Sequence, residues 1–390
     1  MNIQKLNANH YDESLKLSSY AFQYKIAEEE YKKRIKSLED QDIFGCFDDG
    51  KLVAKLHVRP YHIWLNQQKI KMGGIAGVAT YPEFRRKGYV KELMKHSLIE
   101  MQKNGQIISI LHPFSYAFYR KYGWEILSNY IIIYLSKSDL IPKENVSGYI
   151  KRFTADSYNE DIETIYDKHA QKYMGMLARE RNWWKDSVVK DFYVAIYYNQ
   201  EHKPLGYYIY QIKNSKMQIN EFVTIDHEAR LGLWNYICQH DSMINELEMK
   251  ADMNDPILFT ILNPKVKVEQ KAFGMARVVD VLAFLQVYPF NWLSMERPII
   301  FNISDEHASW NNRTFIIEPN KPIEYINTDL TYKLPVEGLK MSINTFTALL
   351  LKYKTASELH EFGLITGSEN DISKLDNMLP NKTPRFLDGF

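Results

Sequence analysis

The chain has 390 residues, 45% hydrophobic and 25% charged, with a formal net charge of +1. That length exceeds one ordinary core and predicts roughly two or three domains; the near-zero charge excludes a global field for nucleic acid or an anionic membrane, so any anion site must be local. No run of about 18 apolar residues occurs, MNIQKLNANHYDES at the N-terminus is not a secretion signal, and two cysteines, Cys46 and Cys238, exclude a disulfide framework; the expectation is a cytoplasmic protein without a membrane span.

The first 35 residues carry apolar positions at helical spacing: Leu15, Leu17, Tyr20 and Ala21, then Ile26, Tyr31 and Ile35. The period then becomes alternation. IFGCFDDGKLVAKLHVRPYHIWL reads as antiparallel strands around an Asp49-Gly50 turn. KIKMGGIAGVAT reads as a further strand, with glycines where backbone must come close. Beyond EFRRKGYVKELM, Val90, Leu93, Met94, Leu98 and Met101 mark one helix face that ends near Asn104-Gly105. IISIL (107–111) is a short buried strand, SYAFYRKYGW a short helix closed by Gly123, and YIIIYLS a strand. A second unit starts near Arg152, with a helix (DIETIYDKHAQKY) and three strands between DFYVAIYY and INEFVTID. RERNWWKD (179–186) is an amphipathic helix whose Trp183 and Trp184 belong to a core or interface. A long helix (EARLGLWNYICQHDSMINELEMKA), a strand (PILFTIL) and a helix (VEQKAFGMARVV) complete a structural repeat of the first unit. After Pro289 come strands PIIFNIS, RTFIIEP, IEYIN and LTYKL, then helices from SINTFTALLLKY to KLDNMLPN, an α+β arrangement. The expected domains are 1–147, 148–288 and 289–390.

The stretch EFRRKGYVKELM joins a strand to a helix through Arg85-x-x-Gly88-x-Val90. The first N–H groups of a helix lack internal partners and form the positive end of its dipole. A glycine lets that turn wrap an anion closely. Arg85, Arg86 and Lys87 add charge, and a pyrophosphate is the natural guest. The spacing is neither that of a Rossmann turn nor that of a Walker loop. A basic, solvated helix start is the plain alternative.

With GVATYPEF before the turn and FYRKYGW about 30 residues after it, the segment resembles the acetyl-CoA motif of the GNAT N-acetyltransferase superfamily, over roughly residues 40–135. The resemblance implies that Val78, Ala79 and Thr80 lie on the splayed strand that pairs with pantetheine. It also implies that Arg85, Arg86, Lys87, Gly88, Tyr89 and Val90 form the pyrophosphate turn. Phe114 and Ser115 would line the cofactor arm, and Tyr119 would act as general acid. Val90 stands where the family usually has glycine or alanine. A phenol of pKa about 10 is a fit proton donor; Tyr116 and Tyr122 lie outside the matching slot, and His112 reads as structural or as touching the site.

One such domain, a second unit without the phosphate turn, and a C-terminal α+β unit of sterol-carrier type together resemble the Eis (enhanced intracellular survival) acetyltransferases. The implied fold is α/β and α+β: tandem GNAT folds, each a mixed sheet with helices on both faces, then a sterol-carrier-like domain. The resemblance further implies that the C-terminal carboxylate of Phe390 serves as general base. It also implies acetyl-CoA as acyl donor, no metal, and a primary amine of aminoglycoside, polyamine or lysine type as acceptor, on a small molecule or peptide. A symmetric homo-oligomer is expected, a hexamer among the options. In the second unit Asp226 and Glu228 occupy the corresponding turn, which disfavours coenzyme there. A non-catalytic acyl-CoA or lipid carrier is the alternative function, and a nucleic-acid partner is not expected.

Overall fold

The computed structural model describes residues 2–294, 297–319, 321–327 and 338–390. It comprises two compact units, one of Met1–Leu65, Lys69–Leu127 and Gly274–Phe390, the other of Asn66–Gln68 and Ser128–Phe273.

The first unit opens with β1 (Asn2–Lys5), α1 (Tyr11–Phe22), α2 (Glu28–Glu39), β2 (Asp42–Asp48), β3 (Lys51–Leu65), β4 (Gln68–Thr80), α3 (Tyr89–Lys103), β5 (Ile108–Leu111) and α4 (Tyr116–Arg120). The strands lie in the order β1–β2–β3–β4–β5. Alternation along β2 and β3 sends Phe44, Cys46, Leu56 and Val58 to one face, where they meet Leu93, Met94, Leu98 and Met101 of α3. Ile43 points the other way, with Leu52 and Ala79, against Leu15, Leu17 and Leu38 of α1 and α2. The sheet is thus covered on both faces, as the two periodicities in the sequence require.

The second unit runs through β6 (Glu125–Ser136), β7 (Tyr149–Phe153), α5 (Asp161–Ala170), β8 (Met174–Leu177), α6 (Arg181–Trp183), β9 (Tyr193–Tyr198), β10 (Pro204–Lys213), β11 (Lys216–Thr224), α7 (His227–Cys238), β12 (Glu246–Asp252) and α8 (Ile257–Thr260) to β13 (Lys267–Val278). Its strand order is β6–β12–β11–β10–β9–β7, with β11 and β12 parallel. Three expectations are corrected here. The long helix stops at Cys238, and ELEMKAD is a strand: Leu247, Met249 and Ala251 are buried at alternate positions, which is the period of a strand. PILFTIL is not a strand but a four-residue helix after Pro256, with Phe259 and Leu262 exposed. VEQKAFGMARVV is a strand, not a helix; Met275–Val278 is buried throughout and pairs with β5. RERNWWKD forms two short turns of helix, with Trp184 in the core.

The C-terminal part contains α9 (Val281–Val287), β14 (Ile299–Ser304), β15 (Arg313–Ile317), β16 (Glu324–Asn327), β17 (Leu339–Ser342), α10 (Ile343–Leu350), α11 (Ala356–Glu361) and α12 (Glu369–Met378). Its sheet has the order β16–β15–β14–β17. The expected strand LTYKL lies outside the described residues.

Candidate functional site

The site begins where β4 and β5 part. They pair in parallel from Met72 with Ile108 to Ile75 with Leu111. β5 ends at Leu111 and the chain turns away at His112-Pro113, while β4 runs on to Thr80. Beyond Ile75 no strand pairs with that side of β4 among the described residues. An exposed strand edge is a row of unpaired amides and carbonyls, able to take an extended amide-bearing ligand. Val78 packs toward α3 and Ala79 toward α1 and α2. Thr80 is buried, and its hydroxyl has no hydrogen-bond partner among the described residues.

After Thr80 a short turn (Pro82–Phe84) leads to Arg86, at φ 64°, and Gly88, at φ 88°. The left-handed conformation at Gly88 favours glycine and aims the chain into α3. Glu92 N–H closes the first turn of α3 on the Gly88 carbonyl, and no backbone hydrogen bond is made by the N–H groups of residues 86–91 among the described residues. Gly88 offers no side chain to cap α3. Arg85, Arg86 and Lys87 are exposed beside these amides, so donors and cations converge at one helix start. The Tyr89 side chain is turned away: its hydroxyl donates to Asp48 at 3.0 Å, leaving only its amide to the turn. Val90 is half-buried against the α3 core. The corresponding helix of the second unit, α7, differs: Asp226 caps it, its carboxylate accepting from Ala229 N–H at 2.8 Å. A carboxylate already fills that position, as the sequence implied.

Ser115 caps α4, its hydroxyl accepting from Phe118 N–H at 3.3 Å, so it builds the helix that carries Tyr119. Phe114 is 74% exposed and packs on Phe118 and Tyr119 at 5.1 and 5.5 Å between ring centroids. Tyr119 is only 4% exposed. Burial pushes its phenol up to about 12, which keeps the proton on at neutral pH. Three side chains, Arg277 of β13 and His307 and Asn344 of the C-terminal part, hold the turn that follows α4. Arg277 donates to the Tyr122 carbonyl, His307 to that of Lys121 at 2.7 Å, and Asn344 to those of Arg120 and Trp124 at 3.1 and 3.0 Å. Arg277 is itself gripped by Asp305 at 2.6 and 2.8 Å, with both side chains fully buried.

The tail places Phe390 at the fork of β4 and β5. Its ring lies 5.0 Å from Tyr61, 5.5 Å from His112 and 6.1 Å from Phe386, between centroids. His112 Nε2 donates to the Asp388 carbonyl at 2.6 Å. Gly74 makes the fit possible, since a Cβ there would stand 2.8 Å from the Phe390 ring. Two groupings therefore exist: Tyr119 with Phe114 and Phe118, and Phe390 with Tyr61, His112 and Gly74. Sequence reasoning expected close approach at the β4 glycines but missed Phe390 as the partner of Gly74, and missed Tyr61 and the three clamps on the α4 turn. The available signal was polar residues at every second position of KLHVRPY inside an otherwise apolar strand. Among the described residues, no group of three or more His, Cys, Asp or Glu side chains is arranged to hold a metal ion, and no helix is long and apolar enough to cross a membrane.

Residues 2–127 and 175–278 each match a model of the acetyltransferase (GNAT) domain, and residues 281–387 match the sterol carrier protein domain. A search of curated protein sequences finds no match. Among solved structures, a probable N-acyltransferase from Enterococcus faecalis V583 is 26% identical with a TM-score of 0.90, covering 100% of this chain and 99% of that one. A GCN5-related N-acetyltransferase from Anabaena variabilis (21% identity, TM-score 0.85) and Eis1 from Mycobacterium abscessus (18% identity, TM-score 0.81) share the fold over 100% of both chains.

Proposed function

We propose, from the premise that the chain is an Eis-like GNAT acetyltransferase with two GNAT domains and a C-terminal sterol carrier domain, that it moves an acetyl group from acetyl-CoA to a primary amine at the fork of β4 and β5. The carrying observation is the set of unbonded amides at residues 86–91, beside Arg85, Arg86 and Lys87, in line with the unpaired edge of β4. In this reading the amides take the pyrophosphate and Ala76–Thr80 takes the pantetheine arm. The amine nitrogen attacks the thioester carbonyl carbon, a C–N bond forms and the C–S bond breaks. A β4 amide polarises the carbonyl. Tyr119, protonated throughout the neutral range, gives its proton to the departing thiolate. With Phe390 as the terminal residue, its α-carboxylate takes the proton lost by the amine, directly or through water. A free α-carboxyl has a pKa of about 3.5, so it works as a base only where burial raises it. The half-buried aromatic nest of Tyr61, His112 and Phe386 supports that placement.

The test is release of coenzyme A thiol from acetyl-CoA in the presence of amines. Tyr119→Phe is expected to lower kcat about 100-fold while acetyl-CoA affinity by calorimetry is unchanged. Deletion of Phe390 is expected to lower kcat further than replacement by leucine. Full activity in Tyr119→Phe removes that residue from the mechanism, and no affinity for acetyl-CoA overturns the reading.

A further inference from the structure

One face of β3 carries Lys55, His57, Arg59 and Tyr61 at alternate positions. It is the face opposite α3, since the intervening Leu56 and Val58 pack in the α3 core. The Lys55 side chain is fully buried and its ammonium meets His57 Nε2. His57 Nδ1 is paired with the side-chain oxygen Oε1 of Gln41 at 2.8 Å, and Arg59 Nε donates to the same oxygen at 3.2 Å. No carboxylate stands within ion-pair distance of Lys55 or Arg59 among the described residues. Half-buried cations are ordinarily paired; Arg59, the permanent cation of this row, has a polar contact but no counter-charge among the described residues.

Its place matters. The His57 ring packs against Gly77, where a Cβ would stand 2.8 Å from Cδ2, and Gly77 belongs to the part of β4 that has lost β5. Tyr61 packs against Gly74 and Phe390. Arg59 lies between these two contacts on the same strand face, half-exposed, with Nη1 and Nη2 making no hydrogen bond among the described residues. A polycationic acceptor entering here would meet the like charge of Arg59, whereas a carboxylate or phosphate would find a guanidinium with its fork open.

We propose that the acceptor is an amine that also bears an anionic group, a carboxylate or a phosphate, and that Arg59 binds that group. The inference rests on the acetyl-transfer reading and adds the acceptor's chemical class. Arg59 supplies the fixed charge that holds the anion, and Lys55 and His57 lie behind it on the same strand face. The amine is then presented toward the fork near Phe390.

Matched acceptors test this. Lysine against cadaverine differs by a carboxylate, and glucosamine 6-phosphate against glucosamine by a phosphate; the two pairs distinguish the two anions. With the full-length protein and acetyl-CoA, kcat/KM for at least one anionic member is expected to exceed its partner's by about tenfold or more. Arg59→Gln is expected to bring that ratio close to unity through KM, Arg59→Lys to restore part of it, and acetyl-CoA affinity by calorimetry to persist in both. Preference for cadaverine and glucosamine, no turnover of either anionic member, or an unchanged ratio in Arg59→Gln overturns the inference while coenzyme affinity leaves the acetyl-transfer reading standing. Loss of coenzyme affinity in the unmutated protein sinks the reading itself.

Discussion

Replacing Asp305 by alanine removes the partner of a guanidinium with no access to water. Asp305 accepts from Arg277 at 2.6 and 2.8 Å, from the amides of His307 and Ala308 at 3.0 and 3.1 Å, and from Asn311 Nδ2 at 2.9 Å. Both ionic side chains have zero exposure. Removing one partner of such a pair strands the other charge and costs about 3–5 kcal/mol, a large share of the roughly 5–15 kcal/mol that holds a typical domain folded. The expected result is a loss of that size in urea unfolding followed by circular dichroism. The double replacement Asp305→Ala with Arg277→Met removes the stranded charge as well, and is expected to be at least about 2 kcal/mol less destabilised than the sum of the single changes. Arg277 also donates to the Tyr122 carbonyl, three residues beyond Tyr119, so kcat should fall in Asp305→Ala under conditions where the protein remains folded. A loss below about 1 kcal/mol, or strict additivity, would refute the argument that this pair anchors the α4 turn.

Two further outcomes follow from the same geometry. Burial, and next the charge of Arg59, pull Lys55 down to about 7; the unfolded chain holds that proton up to about pH 10.4. The unfolded state therefore binds more protons between those values, so this group's contribution makes stability rise with pH across that window and leaves it lowest below pH 7, by up to about 5 kcal/mol. Lys55→Met should be more stable than wild type at pH 6, with the difference shrinking toward pH 9.5; a pH-independent difference in urea unfolding would contradict this. Gly74→Val should drive the Phe390 ring from its seat, since the first added carbon already stands 2.8 Å from it. Faster tryptic cleavage after the buried Arg385 is the expected sign, and an unchanged rate would show that the tail does not depend on this contact.

What could be read in the sequence was what depends on neighbours in the chain. The change of period after α2, the hairpin of β2 and β3, and the basic turn before α3 are local signals, and each appears in the structure. The errors fell where local signals conflict. ELEMKAD alternates, but it follows a genuine helix without a glycine or proline to mark the break. MARV is a buried strand, and a short continuous apolar run does not reveal its own period. The seat of Phe390 was legible only in part: His112 reads as structural or as touching the site and the β4 glycines as places of close approach, but Tyr61 and the partner they share, a residue far along the chain, carry no local signal. The same holds for Arg277 and Asp305, whose pairing spans a loop and a strand.

The clamps on the α4 turn bear on how the chain can be dissected. The first GNAT match ends at residue 127, yet Arg277, His307 and Asn344 donate to the carbonyls of Tyr122, Lys121 and Trp124 from beyond it. A fragment cut at that match would present bare carbonyls and an apolar surface at the very segment that carries Tyr119. The boundary drawn by sequence likeness is a unit of descent, whereas the compact unit that holds the α4 turn also takes in residues 274–390.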